Sequence, residues 1–117
     1  MAGEAERTIQ RFWDIQNDGD YTRVVELFAD DAVLEDPMFG TFKGRDAIAG
    51  FMAKMNEEMG KRDIHFTLVE LAGDDHAAWA QWLAHTPEGV REGVGIYRVK
   101  DGKMTYYRDY MHPPKKS

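Results

Sequence analysis

The 117-residue chain contains no cysteine, which removes disulfides, thiolate metal sites and cysteine nucleophiles from consideration. Its single serine is Ser117 at the very end, so a scaffolded serine nucleophile is excluded in practice. No apolar run approaches the ~20 residues that span a bilayer. The opening Met1-Ala2-Gly3-Glu4-Ala5-Glu6 has neither the basic nor the apolar region of a secretory leader, so a cytoplasmic protein is expected. No Gly-x-Gly-x-x-Gly or Walker-type loop is present to cradle a nucleotide cofactor. The four histidines, His65, His76, His85 and His112, stand at no chelating spacing, and no metal is expected. Positive charge is also in short supply. Fifteen Lys and Arg face 21 Asp and Glu, a net charge of -6, which argues against nucleic acid or an anionic membrane as partner.

What is there suffices for one core. With 43% hydrophobic residues a chain of this length builds a single domain, residues 1–117, with Pro113–Ser117 expected to fray. Apolar positions at Ile9, Phe12, Trp13 and Ile15 mark a first helix from about Glu4 to Asn17, which Gly19 stops. Tyr21, Val24, Val25, Leu27 and Phe28 predict a short second helix. A strand Ala32–Glu35 and a short segment Gly40–Gly44 follow. Arg45–Met59 then reads as a third helix with Ile48, Phe51, Met52 and Met55 on one side. Beyond Asp63 the pattern changes to period two. Strands are predicted at Ile64–Leu71, His76–Thr86, Val90–Val99 and Met104–Met111, separated by Gly73-Asp74-Asp75, Pro87-Glu88-Gly89 and Lys100-Asp101-Gly102-Lys103, as an antiparallel meander. Helices followed by strands mean α+β.

Asp36 is the first candidate for chemistry, because it ends an apolar strand just before Pro37. A carboxyl group buried without a full set of partners keeps its proton to higher pH and becomes a proton acceptor near neutrality. The competing reading is that Asp36 initiates a turn, as Asp before Pro commonly does. Phe12, Trp13, Phe39, Phe42, Phe51, Met52, Met55, Tyr97 and Tyr107 can line a pocket for a flat apolar ligand, although most of such a set also suits plain core. Trp82 and Met111 complete the candidate ligand contacts. On the strand His76–Thr86, neither the Trp79, Gln81, Leu83, His85 face nor the Ala78, Ala80, Trp82, Ala84 face is plainly interior.

Three segments carry a family resemblance: Leu27-Phe28-Ala29-Asp30-Asp31-Ala32 with Glu35-Asp36-Pro37, then Lys43-Gly44-Arg45-Asp46-Ala47-Ile48, and Asp101-Gly102-Lys103-Met104 leading into Arg108-Asp109-Tyr110. In this order they resemble the SnoaL-like polyketide cyclase and ketosteroid isomerase branch of the nuclear transport factor 2-like superfamily. The resemblance implies a cone-shaped, curved, largely antiparallel sheet wrapped around three N-terminal helices, a cystatin-like barrel. It also implies a homodimer and a cofactor-independent isomerase or cyclase acting on an apolar carbonyl or polycyclic substrate. Asp36 aligns with the general base of the isomerases. The family's two oxyanion donors fall on Phe12 and about Gly95, neither of which can donate a hydrogen bond, which argues against ordinary steroid isomerase activity.

An acidic residue on the last strand is catalytic in SnoaL-like cyclases and limonene epoxide hydrolases, and this role falls on Asp109. By alternation Asp109 shares a face with Tyr107 and Met111, opposite Arg108 and Tyr110. Its competing reading is a surface pair with Arg98 or Arg108. Gln81, His85 or Tyr97 supply the missing hydrogen bonds if they face inward. The hydrolase reading is weakened by Gln81-Trp82-Leu83, which replaces the hydrolases' Arg-x-Asp. A non-catalytic binding or interaction module of the same fold is the remaining alternative.

Overall fold

The computed structural model describes residues 3–18 and 21–111. Helix α1 spans Glu4–Asn17 and a 3₁₀ turn spans Tyr21–Leu27. Strands β1, Phe28–Asp36, and β2, Gly40–Lys43, precede helix α2, Arg45–Arg62. Four further strands follow, β3 His65–Gly73, β4 Ala77–Thr86, β5 Gly89–Lys100 and β6 Lys103–Met111. They make one six-stranded sheet in the order β2-β1-β6-β5-β4-β3. The α+β expectation holds, and β3 to β6 form the expected meander. The sheet is mixed, because β1 runs parallel to β6, and it stays open between its edges β2 and β3.

Three local expectations need correction. The second helix is a 3₁₀ turn, in which Val24 and Leu27, three residues apart, point the same way and are buried, as a three-residue period requires. Phe28 belongs to β1, which starts earlier than the apolar pattern suggests because exposed Asp30 and Asp31 sit at an irregularity in the pairing with β6. Helix α2 runs past Met59 to Arg62 and ends at Asp63 in the left-handed conformation, φ 53°. The expected glycine stop at Gly19 and the Pro113–Ser117 tail lie outside the described residues.

Helix α1 packs on β3, β4 and β5, and α2 on β1, β2 and the 3₁₀ turn. Phe12 is the hub of the core, with ring centroids 6.3 Å from Trp13, 6.4 Å from Phe28, 6.0 Å from Tyr97 and 5.6 Å from Tyr107. The pairs with Trp13, Phe28 and Tyr107 are edge-to-face, and pairs of this kind stabilise beyond their area. The N-cap of α1 is Gly3, which has no side chain to offer. The β3–β4 turn supplies the acceptors instead: Glu4 donates its N–H to Asp75 Oδ1 at 2.9 Å and Ala5 donates to the Asp74 carbonyl at 3.0 Å. Among the described residues no helix is long and apolar enough to cross a membrane.

Candidate functional site

The alternation of β6 decides what faces inward. Tyr107 is buried, while Arg108 and Tyr110 are exposed on the other side. Arg108 lies 3.7 Å from Glu35 and 4.8 Å above the Tyr110 ring, so it is not a partner for Asp109. Arg98 alternates with buried Tyr97 and is exposed as well. On β4 the alanine and Trp82 face is interior, with Ala78, Ala80, Trp82 and Ala84 all buried. Gln81 therefore faces outward and donates to Glu92, and His85 stacks on His65 and bonds Thr67. Of the three side chains considered as extra donors, Tyr97 alone points into the core.

The parallel register Leu34↔Tyr107 and Glu35↔Arg108 carries Asp36 alongside Asp109. Their roles differ. Asp36 Oδ1 accepts the backbone N–H groups of Met38 at 2.8 Å and Phe39 at 3.1 Å, so this carboxylate holds the β1–β2 turn. Asp109 has no ion pair among the described residues. Its Oδ2 accepts the Tyr107 hydroxyl at 2.9 Å, and its Oδ1 is occluded with no hydrogen-bond partner among the described residues. Burial pushes its pKa up to about 7, the Tyr107 hydrogen bond opposes the shift, the negative charge of Asp36 adds to it, and the nearby Trp82 indole N–H opposes it.

Two phenols extend the group inward. The Trp13 indole donates to the Tyr97 hydroxyl at 3.3 Å, and the Tyr97 and Tyr107 rings lie 4.7 Å apart. Burial first and the Asp109 charge second hold both phenols above their ordinary range, so both remain protonated donors. The Trp82 N–H sits close enough to favour the ionised Asp109, yet the two do not meet hydrogen-bond geometry. Among the described residues Trp82 Nε1 and Asp109 Oδ1 are thus both buried without a partner, at a cost of about 1–3 kcal/mol per such group.

Glycines make this arrangement possible. Gly93 pairs with Trp82, and Gly95 pairs with Asp109. A Cβ on Gly93 would come within 2.3 Å of the Trp82 ring, and one on Gly95 within 2.5 Å of the Tyr97 hydroxyl and 3.0 Å of Asp109 Oδ1. The Asp109 carboxyl thus reaches from β6 towards the place where a side chain on Gly95 would start. The inward pairing of Gly93-x-Gly95-x-Tyr97 with Tyr107-x-Asp109 was present in the sequence as two period-two patterns, but their register was not.

Phe12, Trp13 and Tyr97 are fully buried, and Phe51, Met55 and Met111 are half-buried. The rings of Phe12, Trp13 and Tyr97 fill the inside of the cone. Surface concavities of about 300 Å³, between Trp79, Ile96 and Tyr106, and about 410 Å³, between Val25, Arg45 and Lys103, are bounded by neither carboxylate. Among the described residues no cluster of three His, Asp or Glu side chains can hold a metal ion.

The family of SnoaL-like domains matches residues 9–107. No curated protein matches the chain. Among solved structures, an NTF2-like protein of unknown function from Mesorhizobium loti is similar at 23% identity with a TM-score of 0.80, covering 94% of this chain and 92% of that one. A "putative ketosteroid isomerase" from Kribbella flavida is similar at 20% identity with a TM-score of 0.80, over 97% of this chain and 82% of that one. A protein of unknown function with a cystatin-like fold from Methylobium petroleophilum is 20% identical, TM-score 0.77, over 97% and 78%. Likeness at these identities speaks to the fold alone.

Proposed function

Because the chain belongs to the SnoaL-like domain family, we propose that it is a cofactor-independent isomerase- or cyclase-type enzyme acting on a small apolar carbonyl compound, with Asp109 as its general acid/base. One observation carries this reading: a carboxyl group on the inner face, without an ion pair among the described residues, whose pKa is pushed up to about 7. A group poised there exchanges protons at neutral pH with little penalty in either direction. In the reaction so assigned, ionised Asp109 removes a proton next to the substrate carbonyl and returns it at another carbon or oxygen. The Tyr107 hydroxyl, bonded to Oδ2, orients the carboxyl and stabilises its charged form. Asp36 acts as a neighbouring charge and turn holder rather than as the base, since its Oδ1 is already bonded to two backbone N–H groups.

Carboxyl-selective NMR titration tests this assignment. A midpoint near 7 for Asp109 that moves when cyclic enones or phenols are added supports the enzyme. A midpoint near 4 that ignores them removes it. A second reading, a non-catalytic binding or interaction module, draws on the filled interior of the cone. The same family reading includes a homodimer through the outer sheet face, where Trp79, Ile96 and Tyr110 are exposed. Light scattering at micromolar concentration tests it, and a strictly monomeric mass removes it.

A further inference from the structure

The buried polar groups behind Asp109 form a chain with one direction. Trp13 on α1 gives its indole N–H to the Tyr97 hydroxyl at 3.3 Å, a fully buried contact. Tyr97 on β5 and Tyr107 on β6 are cross-strand partners, and their side chains hydrogen-bond each other. Tyr107 in turn gives its hydrogen to Asp109 Oδ2 at 2.9 Å. A neutral phenol has a single hydrogen to give, and an indole N–H donates but never accepts. The Tyr107 hydrogen is used on Asp109, so the hydrogen between the two phenols comes from Tyr97. Run backwards, the chain fails at its far end. Tyr97 would then receive hydrogens from both Trp13 and Tyr107, and its own would be left over, since Asp109 Oδ1 accepts from none of the described residues. A buried donor without an acceptor is costly.

We propose that Trp13 and Tyr97 are positioning residues for Asp109: they fix the direction of the chain, so that the Tyr107 hydroxyl presents its hydrogen to Oδ2. The proposal rests on the reading of Asp109 given above and assigns these two buried rings to holding the carboxyl rather than to touching a ligand. Aligned donors polarise one another and strengthen the last bond of the row. That bond favours the carboxylate, against the burial that favours the neutral acid. Strand β6 lies between β1 and β5, and the groups facing Asp109 are Asp36 from β1, Tyr97 from β5, Tyr107 from its own strand and the Trp82 indole from β4. Asp36 is the one charge among them. Removing the head of the chain should therefore raise the proton affinity of Asp109, the reverse of removing the Asp36 charge.

The test is carboxyl NMR titration of Asp109 in the full chain, in Tyr97→Phe, in Tyr107→Phe and in the variant carrying both changes. Tyr107→Phe deletes the bond to Oδ2 and should raise the midpoint by about 1–2 pH units. Tyr97→Phe leaves that bond in place but removes the donor behind it, and should raise the midpoint by roughly 0.3 unit. Added to Tyr107→Phe, the same change should have no further effect, because the chain no longer reaches the carboxyl. Trp13→Phe should act in the same direction as Tyr97→Phe and more weakly. Ile9→Val, a trimmed buried neighbour on α1 without a polar atom, should leave the midpoint where it is.

The proposal is overturned if Tyr97→Phe leaves the midpoint unmoved or lowers it. It is equally overturned if Tyr97→Phe acts as strongly without the Tyr107 hydroxyl as with it, or if Ile9→Val has the same effect, since either would make the influence one of packing. If the Tyr107 variants do not fold, the Tyr107 hydroxyl proton signal decides: it should move upfield in Tyr97→Phe, and an unmoved signal removes the proposal. A midpoint near 7 in the unaltered protein without the coupling between Tyr97 and Tyr107 removes this inference and keeps the acid/base reading. A midpoint near the ordinary value of about 4 in the unaltered protein removes both.

Discussion

Replacing Asp109 by Asn keeps the shape of the side chain and an acceptor for the Tyr107 hydroxyl, but removes the ionisation. In the unfolded chain this carboxyl titrates at its ordinary value of 3.8, and in the fold at about 7. Between those values the native state holds the extra proton, so stability conferred by the protonated group is fully present below about pH 4 and is lost as pH rises through 7. The span is about three pH units at about 1.4 kcal/mol each, so ionising Asp109 costs the fold on the order of 4 kcal/mol at most. That is a large fraction of the 5–15 kcal/mol that typically holds a domain together. Urea unfolding of the two proteins at a series of pH values measures the effect. The advantage of Asp109→Asn over the unaltered protein should grow between about pH 4 and 8 by up to ~4 kcal/mol. Parallel stability curves across this window would refute the burial argument, because they would mean that the carboxyl is as well solvated folded as unfolded.

Asp36→Asn keeps an acceptor for the Met38 and Phe39 N–H groups while removing the charge, so the Asp109 pKa should fall, a shift read directly by carboxyl NMR. Asp75→Ala should cost about 0.5–2 kcal/mol in urea unfolding, the usual loss for a helix N-cap acceptor, and a smaller loss would mean that solvent replaces the turn. Gly93→Ala places a Cβ 2.3 Å from the Trp82 ring and should destabilise by about 1–3 kcal/mol, with a changed Trp82 indole signal in NMR.

The sequence was most informative where period and turn residues agreed. The four meander strands and the start of α2 beside Gly44 follow from alternation and glycine placement, and Asp36 and Asp109 each stand out as a candidate acid. The 3₁₀ turn was not legible, because Val24 and Leu27 satisfy a helical spacing as well as a three-residue one. The inward face of β4 was hidden by composition: alanines at 78, 80 and 84 bury little area themselves, while the outward face carries Trp79 and Leu83. The division of labour between Asp36 and Asp109 was out of reach for a different reason. It depends on the β1–β6 register, on Tyr107 reaching one oxygen of Asp109, and on which backbone N–H groups the β1–β2 turn presents to Asp36, all of which are set by tertiary geometry.

The strand that carries Asp109 comes last of the six in chain order and yet lies between β1 and β5, inside the sheet. Until β6 arrives, β1 and β5 both present unpaired edges, and β1 must wait for a parallel partner some seventy residues away, the most non-local pairing in the molecule. Contacts of that separation come late and slowly in folding. Assembly of the acid site is therefore bound to completion of the sheet. A partly folded chain lacks not only β6 but also the Asp36 and Asp109 pairing, so the carboxyl acquires its unusual proton affinity only in molecules whose folding is finished.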